Sequence, residues 1–264
     1  MDKLLISIII PTLNQGKFIG ITLQSIIDQN YPDIEIIVMD GGSTDSTVKT
    51  IKDFESKIKR LDKRIQFSWV SKKDKGQSNA INLGWKKAKG DILCYLNSDD
   101  YLLPGCLNEV AKVFTDKPDA KWMTGDYIIV DEKGKEIQKP ISFYKRVLRY
   151  IPLSVILPFT NPIIQPSTFL RKTFVQRIGY FDETLRFTFD YDYWFRCLSV
   201  AKPFITDVPL SSFRIHGESK GGRQYKKQFE EEMKVVRRHN KKPFVLASHR
   251  MHNKLIVGIY DFIK

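Results

Sequence analysis

Along the first hundred residues, short apolar runs alternate with longer amphipathic stretches. Ile6 to Ile10 is a β-branched run that ends at Pro11, which is typical of a buried strand. Similar runs lie at 34–39, 65–70 and 92–96, and the segments after them repeat apolar residues every three or four positions. This order predicts an α/β fold with a mostly parallel central sheet and helices on both of its faces.

The second half of the chain loses this regular alternation. Pro104 suits the first turn of a helix, and Asp100 is expected to support the turn into it. Beyond that helix the pattern predicts a hairpin about Glu132–Gly134, a strand over 167–170, a helix over 190–200, short strands over 204–208 and 211–215, and terminal helices over 226–239 and 244–263.

Polar residues stand where the predicted parallel strands end. Pro11 and Thr12 follow the first strand, Asp40 the second, and Asn97, Ser98 and Asp99 the fourth. Ligands of open parallel sheets bind at the carboxyl ends of the strands, so we expect these residues to share one crevice.

Composition limits the partners. The formal net charge of +13 and a pI of about 9.5 favour an anionic partner, namely nucleic acid, anionic lipid or a phosphorylated small molecule. Three cysteines without CxxC spacing favour a reducing cytosol, and the first residues do not form a signal peptide. The uncharged run over 150–170 contains four prolines, at 152, 158, 162 and 166, which exclude a membrane-spanning helix.

Two loops are candidates for nucleotide binding, although neither GxGxxG nor GxxxxGK[ST] is present. Asp40 precedes two glycines, so its carboxylate either accepts from a base N–H or caps the next helix. The loop from Asp74 to Asn79 either turns free N–H groups to a phosphate or forms an ordinary helix cap.

Acidic clusters raise the question of a metal or a base. Asp99 and Asp100 either bind a hard divalent cation together with a diphosphate or, for Asp100, cap a helix. Asp190 and Asp192 are two residues apart at a helix start, so at most one is expected to point into the crevice. His216 is a lone histidine at a strand end, and such a residue is structural more often than it is a ligand unless an acid cluster needs it.

Taken together, these segments resemble family 2 glycosyltransferases, the inverting enzymes with the GT-A fold. The matching stretches, in family order over about 5–220, are SIIIPTLN (7–14), YP (31–32), EIIVMDGGSTD (35–45), DKG (74–76), GD (90–91), NSDD (97–100), GYFDE (179–183), DYD (190–192) and RIH (214–216).

The resemblance implies a role for individual residues. Nucleotide-sugar binding is expected of Pro11, Thr12, Asn14, Asp40, Asp74, Gly76, Asn79, Asn97 and Ser98. It implies Asp99 and His216 as the metal site and Asp190 as the catalytic base. The chain departs from the family at Asn97, where the first Asp of the DxD motif is usual, and at Phe189, where a Glu often precedes the base.

The resemblance also implies an organisation and a reaction. We expect a GT-A domain over 1–220, with a Rossmann-like nucleotide-binding half (1–100) and an acceptor-side half (101–220), and a C-terminal helical extension over 221–264. The predicted activity is that of a hexosyltransferase-type enzyme that moves a sugar, from a UDP-sugar, to a hydroxyl of a saccharide or polyprenyl-linked acceptor. Inversion needs one carboxylate base, and Mn²⁺ or Mg²⁺ stabilises the leaving diphosphate.

The sequence also bears on the cellular location of the protein and leaves two alternative functions open. We predict a cytoplasmic protein, and the basic and apolar stretch that begins at Phe143 either rests on the inner face of the cell membrane or forms a loop over the acceptor site. A sugar nucleotidyltransferase is a second hypothesis, but the glycine-rich basic loop is missing. A nucleic-acid-binding protein is suggested by charge alone and lacks a motif.

Overall fold

A computed structural model describes residues 4–61, 64–217 and 225–263, and the side chains of 225, 226 and 255–263 are not part of the description. The predicted boundary at 220/221 lies outside the described residues. The elements in chain order are β1 Ile6–Thr12, α1 Ile19–Ile27, β2 Ile34–Asp40, α2 Thr47–Ile58, β3 Ile65–Ser71, α3 Gln77–Lys87, β4 Ile92–Tyr95, β5 Tyr101–Leu102, α4 Cys106–Asp116, β6 Trp122–Val130, β7 Glu136–Ile137, α5 Lys139–Arg149, α6 Leu153–Ile156, a 3₁₀ turn Gln165–Ser167, β8 Thr168–Arg171, α7 Lys172–Ile178, α8 Phe189–Leu198, β9 Phe204–Arg214, α9 Tyr225–His239 and α10 Pro243–Ile263.

The strands of the described chain form one mixed sheet in the order β3-β2-β1-β4-β8-β6-β9-β5, with β7 beside β6. β3, β2, β1 and β4 are parallel, as the alternation predicts. β8 is antiparallel to both β4 and β6, and β9 is parallel to β6. The α/β class and mostly parallel sheet are therefore confirmed, and strands from both predicted halves share one sheet.

Alternating side chains of the central strands separate two apolar clusters. Ile8 and Ile10 of β1 lie in the cluster with α1, α2 and α4, whereas Ile9 lies in the cluster with α3, α8 and the C-terminal helices. Because neighbouring residues in a strand point to opposite faces, one continuous apolar run supplies both layers. The site at the carboxyl end of β1 is thus held from both sides of the sheet.

Two local predictions are wrong. The segments 204–208 and 211–215 form the single strand β9, because irregular pairing with β6 around Asp126 accommodates Pro209 without breaking the strand. The helix expected from Pro104 begins at Cys106, because Gly105 takes a left-handed φ of 81° before it. The predicted hairpin is confirmed as β6 and β7.

All three cysteines, Cys94, Cys106 and Cys197, are buried and free. The segment over 150–170 contains the short helix α6 and the 3₁₀ turn. Within the described residues, no helix has both the length and the apolar character needed to cross a bilayer.

Candidate active site

A cavity of about 490 Å³ opens at the carboxyl ends of β1, β2 and β3. It is lined by Leu13, Gly41, Gly42, Lys73, Asp74, Lys75, Gly76 and Arg186. Two lysines and an arginine beside an acid give this cavity the cationic character that a diphosphate needs. The predicted residues Asp74 and Gly76 both line it, and Arg186 is a residue that the sequence did not single out.

Asp40 holds the loop that follows β2. Its buried carboxylate accepts hydrogen bonds from the backbone N–H of Gly42 at 3.2 Å and of Ser43 at 3.0 Å, and from the Ser71 hydroxyl at 2.6 Å. The Ser43 hydroxyl also donates to it. Helix α2 begins only at Thr47, so the alternative that Asp40 caps this helix is wrong. Contact with a base stays a prediction.

Pro11, Thr12 and Asn14 lie on the neighbouring loop. The buried Thr12 hydroxyl has no hydrogen-bond partner within the described residues, and the Thr12 carbonyl accepts from the Gly41 N–H. Such a hydroxyl beside the cavity fits a polar ligand. Asn14 has a φ of 53°, and its side-chain oxygen accepts from the Thr44 N–H at 2.9 Å, which fixes the two loops together.

The third loop turns at Asp74 and Gly76. The Asp74 carboxylate accepts from the Gly76 N–H at 2.8 Å. Gly76 has a φ of 121°, a conformation that favours glycine, and precedes the first residue of α3. Asn79 donates to Glu183 at 2.9 Å, so its amide is directed toward the segment before α8.

Asn97 and Ser98 lie between β4 and β5. The Asn97 oxygen accepts from the Gln77 amide at 2.7 Å, and the Asn97 nitrogen donates to Asp100 at 3.2 Å. Ser98 is buried, and its carbonyl accepts from the Thr22 hydroxyl. Asn97 therefore joins α3 to the acidic turn, a contact that an uncharged amide can make through both of its ends.

Asp99 and His216 meet although they are far apart in sequence. His216 Nε2 lies 3.0 Å from Asp99 Oδ2, and the Asp99 side chain keeps 22% exposure. The His216 ring packs on Phe18 with centroids 4.6 Å apart. The described structure thus brings together the two predicted metal ligands at the edge of the sheet.

Arg214 fixes the backbone around this pair. Its buried guanidinium donates to the Asp99 carbonyl at 2.8 Å and to the Asp131 and Glu132 carbonyls at 3.1 and 3.0 Å. It also stacks on Phe18, 5.2 Å from the ring centroid. Arg214 belongs to the RIH segment that the sequence singled out. Its role in holding the backbone around Asp99 was not predictable from that segment.

Asp100 has a different environment from Asp99. One oxygen accepts from the Arg214 N–H at 2.8 Å and the other from the Asn97 amide. Burial, and then the charge of Asp99, raise the pKa of Asp100 well above its usual range. Asp100 does support the turn that begins at Asn97, but it binds β9 rather than the entry of α4, so that part of the prediction is wrong.

The carboxylates at the start of α8 also differ. Asp192 is buried, forms ion pairs with Arg196 at 3.0 Å and Arg238 at 3.1 Å, and lies 2.8 Å from His239 Nε2. Its pKa is lowered, because these hydrogen bonds and charges outweigh the effect of burial. Asp190 accepts from the Tyr191 N–H, and no ion pair of Asp190 is present within the described residues.

Burial raises the pKa of Asp190 to about 6, with Glu232 adding to the rise and the charge of Lys145 opposing it. The Tyr95 phenol of β4 is influenced both by this carboxyl and by the turn of 97–100. Burial raises the pKa of the Tyr95 phenol, and Asp190 and Asp100 both add to the rise. The pKa of this phenol is therefore raised by carboxylates from both parts of the predicted site, the turn of 97–100 and the start of α8.

Helix α9 holds the segment before Asp190 in place. The Glu231 carboxylate accepts hydrogen bonds from the backbone N–H groups of Arg186, Phe187 and Thr188, at 2.8 to 3.1 Å, and from the Thr188 hydroxyl. These bonds lower the pKa of Glu231 against the effect of burial. Sequence reasoning missed Glu231, because three consecutive glutamates in a helix indicate a solvated face.

The donor set near Asp99 suits a divalent cation. A carboxylate beside an imidazole is a ligand pair that Mn²⁺ accepts more readily than Mg²⁺, which prefers oxygen. Within the residues whose side chains are described, no group of three or more His, Cys, Asp or Glu side chains is placed to hold a metal. Further ligands would have to come from a bound diphosphate and from water.

Comparisons with known proteins give the family. Residues 7–179 match the model described as Glycosyl transferase family 2. An uncharacterized glycosyltransferase of Rickettsia typhi is 30% identical over 217 residues, which cover 80% of this chain and 64% of the relative. One from Rickettsia felis is 30% identical over 256 residues, covering 94% of this chain and 38% of the relative. The chain thus spans about two fifths to two thirds of these relatives.

Solved structures share the fold. A mannosyltransferase from Pyrobaculum calidifontis, in complex with GDP-Man and Mn²⁺, superposes with a TM-score of 0.69 at 17% identity, over 96% of this chain and 70% of that one. Residues 1–349 of TarS from S. aureus, in complex with UDP-GlcNAc, give a TM-score of 0.66 at 18% identity, over 93% and 71% of the two chains. The GT-A-like fold with C-terminal helices is confirmed.

Proposed function

The chain belongs to glycosyl transferase family 2, and from that premise we propose that it moves a hexosyl group from a UDP-sugar to an acceptor hydroxyl with inversion. The observation that carries the proposal is the contrast between Asp190 and Asp192. Asp192 is bound to two arginines and the His239 ring, whereas Asp190 has a pKa of about 6 and no ion pair in the described chain. A general base works best with a pKa near the working pH.

The donor binds at the carboxyl ends of β1 to β4. Its nucleoside occupies the cavity of Gly41, Asp74 and Gly76, with Thr12, Asn14 and Asp40 on the adjoining loops. Lys73, Lys75 and Arg186 supply positive charge toward the diphosphate. Asn79, Asn97 and Ser98 are assigned to the donor site as well, by their resemblance to the family's motifs.

A divalent cation held by Asp99 and His216 would offset the charge that develops on the leaving diphosphate. Arg214 keeps the Asp99 backbone in position through the bond to its carbonyl. The Mn²⁺ in the mannosyltransferase complex supports this assignment by analogy with a protein of the same fold.

Asp190 accepts the proton of the acceptor hydroxyl as its oxygen attacks the anomeric carbon. The bond from that carbon to the diphosphate oxygen breaks with its electron pair, so the leaving group needs no proton. Glu231 keeps the 186–188 segment, and with it the start of α8, in place during this step. One base and one cation site meet the requirement of an inverting transfer, whereas a glycoside hydrolase needs two carboxyls that flank the bond.

We further propose the division into a nucleotide-binding half (1–100) and an acceptor-side half (101–220), followed by the helical extension 221–264, and a cytoplasmic location. The family match argues against a nucleotidyltransferase and against a nucleic-acid-binding protein.

Thermal denaturation with a panel of nucleotide sugars, each with and without Mn²⁺, tests the donor assignment. A UDP-sugar at about 100 times its Kd should stabilise the fold by about 3 kcal/mol, and only when Mn²⁺ is present. Stabilisation by GDP-sugars alone would mean that the donor carries guanine and not uracil as its nucleobase. Salt-sensitive binding of nucleic acid with no nucleotide effect would contradict the proposal as a whole.

A further inference from the structure

An apolar and basic surface on α5, α6, the link between them and α10 has no role in the proposed reaction. We call it the docking face and define it by Phe143, Tyr144, Val147, Tyr150, Ile151, Val155, Phe244, Arg250, Met251 and Lys254. Phe143 is 63% exposed, Tyr150 71% and Phe244 75%. Large apolar side chains that cluster on a surface mark an interaction site more often than single ones do.

Contacts between the elements show that the docking face is continuous. The Tyr144 hydroxyl lies 3.4 Å from His252 Nε2, which joins α5 to α10. The Phe244 ring lies 6.5 Å from that of Phe159, which follows α6. On α10 the exposed residues Phe244, Ala247, Arg250, Met251 and Lys254 recur at helical spacing and form one outer stripe.

The opposite side of α5 is anchored to the protein. Arg149 donates to Asp126 at 2.7 Å, and Arg146 forms an ion pair with the same buried carboxylate. Leu148 and Ser142 are buried on this side. The exposed apolar residues therefore belong to a helix with a fixed orientation.

Charge indicates what covers the docking face. No Asp or Glu occurs from Lys139 to Phe181 or from Met233 to Tyr260, although both stretches contain several Lys and Arg. Among the docking-face side chains, Tyr150 donates its hydroxyl to Asp207 at 2.9 Å. Aromatic and aliphatic side chains mixed with basic ones, and almost without acids, suit a surface of negative charge over an apolar interior.

We propose that the docking face binds the surface of an anionic phospholipid membrane peripherally. A second copy of the chain is a poorer partner, because a two-fold contact would put one basic face against another. The geometry also deepens the proposed function. Tyr191, next to Asp190 at the start of α8, donates a hydrogen bond to the Leu157 carbonyl just after α6, and its ring lies 6.2 Å from that of His249 on α10, so docking would turn the acceptor side toward the bilayer. A lipid-linked acceptor follows from this orientation, and that last step rests on the proposed function.

Co-sedimentation with vesicles tests the proposal on the full chain. One set of vesicles is phosphatidylcholine, and the other is an equimolar mixture of phosphatidylcholine and phosphatidylglycerol. We expect binding to the anionic set, weakened by salt, and little binding to the neutral set. Arg250→Glu replaces an attraction by a repulsion and should weaken binding by about tenfold or more.

Matched variants separate the docking face from general surface effects. Val147 and Ile21 are 46% and 47% exposed, and only Val147 belongs to the docking face. Val147→Glu should weaken vesicle binding, whereas Ile21→Glu should not. Lys87→Glu on α3 is the charge control for Arg250→Glu. Phe244→Ser is a second test on α10 if Val147→Glu does not fold.

Each outcome bears on the proposal. Loss of vesicle binding in the docking-face variants and not in the controls supports it. No binding by the wild type, equal binding by all variants, or self-association that Val147→Glu abolishes would overturn it. UDP binding in the presence of Mn²⁺ is measured on the same samples: a protein that binds UDP but no vesicles refutes only the docking face, whereas one that binds vesicles but no nucleotide refutes only the proposed function.

Discussion

Replacing Asp190 by Asn should stop sugar transfer and at the same time stabilise the fold. The amide keeps an oxygen that accepts the Tyr191 N–H, so the local backbone is preserved. It cannot accept a proton at neutral pH. General-base catalysis typically contributes a factor of about 10² to 10⁴, so we expect kcat to fall by that factor, equivalent to about 3–5 kcal/mol of barrier.

The gain in stability follows from the pKa. Burial raises the pKa of Asp190 from 3.8 to about 6. A carboxyl whose pKa is raised by folding favours the native state most below pH 3.8, and this contribution is lost as the pH rises through about 6. At pH 8 the ionised, half-buried carboxylate therefore costs on the order of 2–3 kcal/mol. The Asn variant avoids that cost.

Asp192→Asn is the control, because we expect it to lower the free energy of unfolding at pH 8 where Asp190→Asn raises it. The pKa of Asp192 is lowered, so this residue stabilises the native state above the pKa of the unfolded chain, and the contribution disappears as the pH falls through the folded pKa. Removing its charge leaves Arg238 and His239 without their buried partner. We expect a loss of about 3–5 kcal/mol at pH 8.

The assay combines two measurements on the three proteins. Urea denaturation at pH 5 and pH 8 gives the free energies of unfolding, and release of nucleoside diphosphate from the best donor gives kcat and kcat/KM between pH 5 and 8. The wild-type kcat/KM should rise with pH about a midpoint near 6, which is the pKa of Asp190. Near-normal turnover by Asp190→Asn, or a loss of stability at pH 8, would refute the base assignment.

Three further outcomes follow from the structure. Glu231→Gln should cost about 2 kcal/mol in urea denaturation and lower kcat, because the 186–188 segment loses a charged acceptor, whereas the exposed Glu230→Gln should change neither. Lowering the pH should remove the Glu231 contribution as that carboxylate is protonated below its lowered pKa, so the two variants should converge in stability in acid. Gly84→Ala should cost about 1–3 kcal/mol in the same measurement, because its new Cβ would lie 2.6 Å from Ile9 Cγ2 on β1.

The first half of the fold was predictable because its signals are local. The run at Ile6 to Ile10 and the apolar stripes after each strand give four strands and four helices without knowledge of tertiary contacts. Strand pairing in the second half was not predictable in this way. The pairing of Leu93 in β4 with Leu170 in β8 joins segments that are far apart in sequence, and hydrophobic periodicity carries no information about such partners.

The residues of the candidate site also fall into two groups, those that local sequence predicts and those that depend on tertiary contacts. Asp40, Asp74 and Asp99 stand at strand ends, where the sequence already points to a ligand. The meeting of Asp99 with His216 was expected from the resemblance only, since 117 positions separate them. The different states of Asp190 and Asp192 depend on Arg238 and His239 of α9, so the sequence could say that the two acids differ but not which one is neutralised.

The proposed function requires a nucleotide sugar to bind beside Asp99 together with a divalent cation. Calorimetric titration of UDP into the wild type and into Asp99→Asn, each with and without Mn²⁺, tests it most directly. We predict that the wild type binds UDP at least about tenfold more tightly with Mn²⁺ than without it, and that Asp99→Asn loses this difference. UDP affinity that is independent of Mn²⁺, or an undiminished Mn²⁺ effect in Asp99→Asn, would contradict a cation site at Asp99.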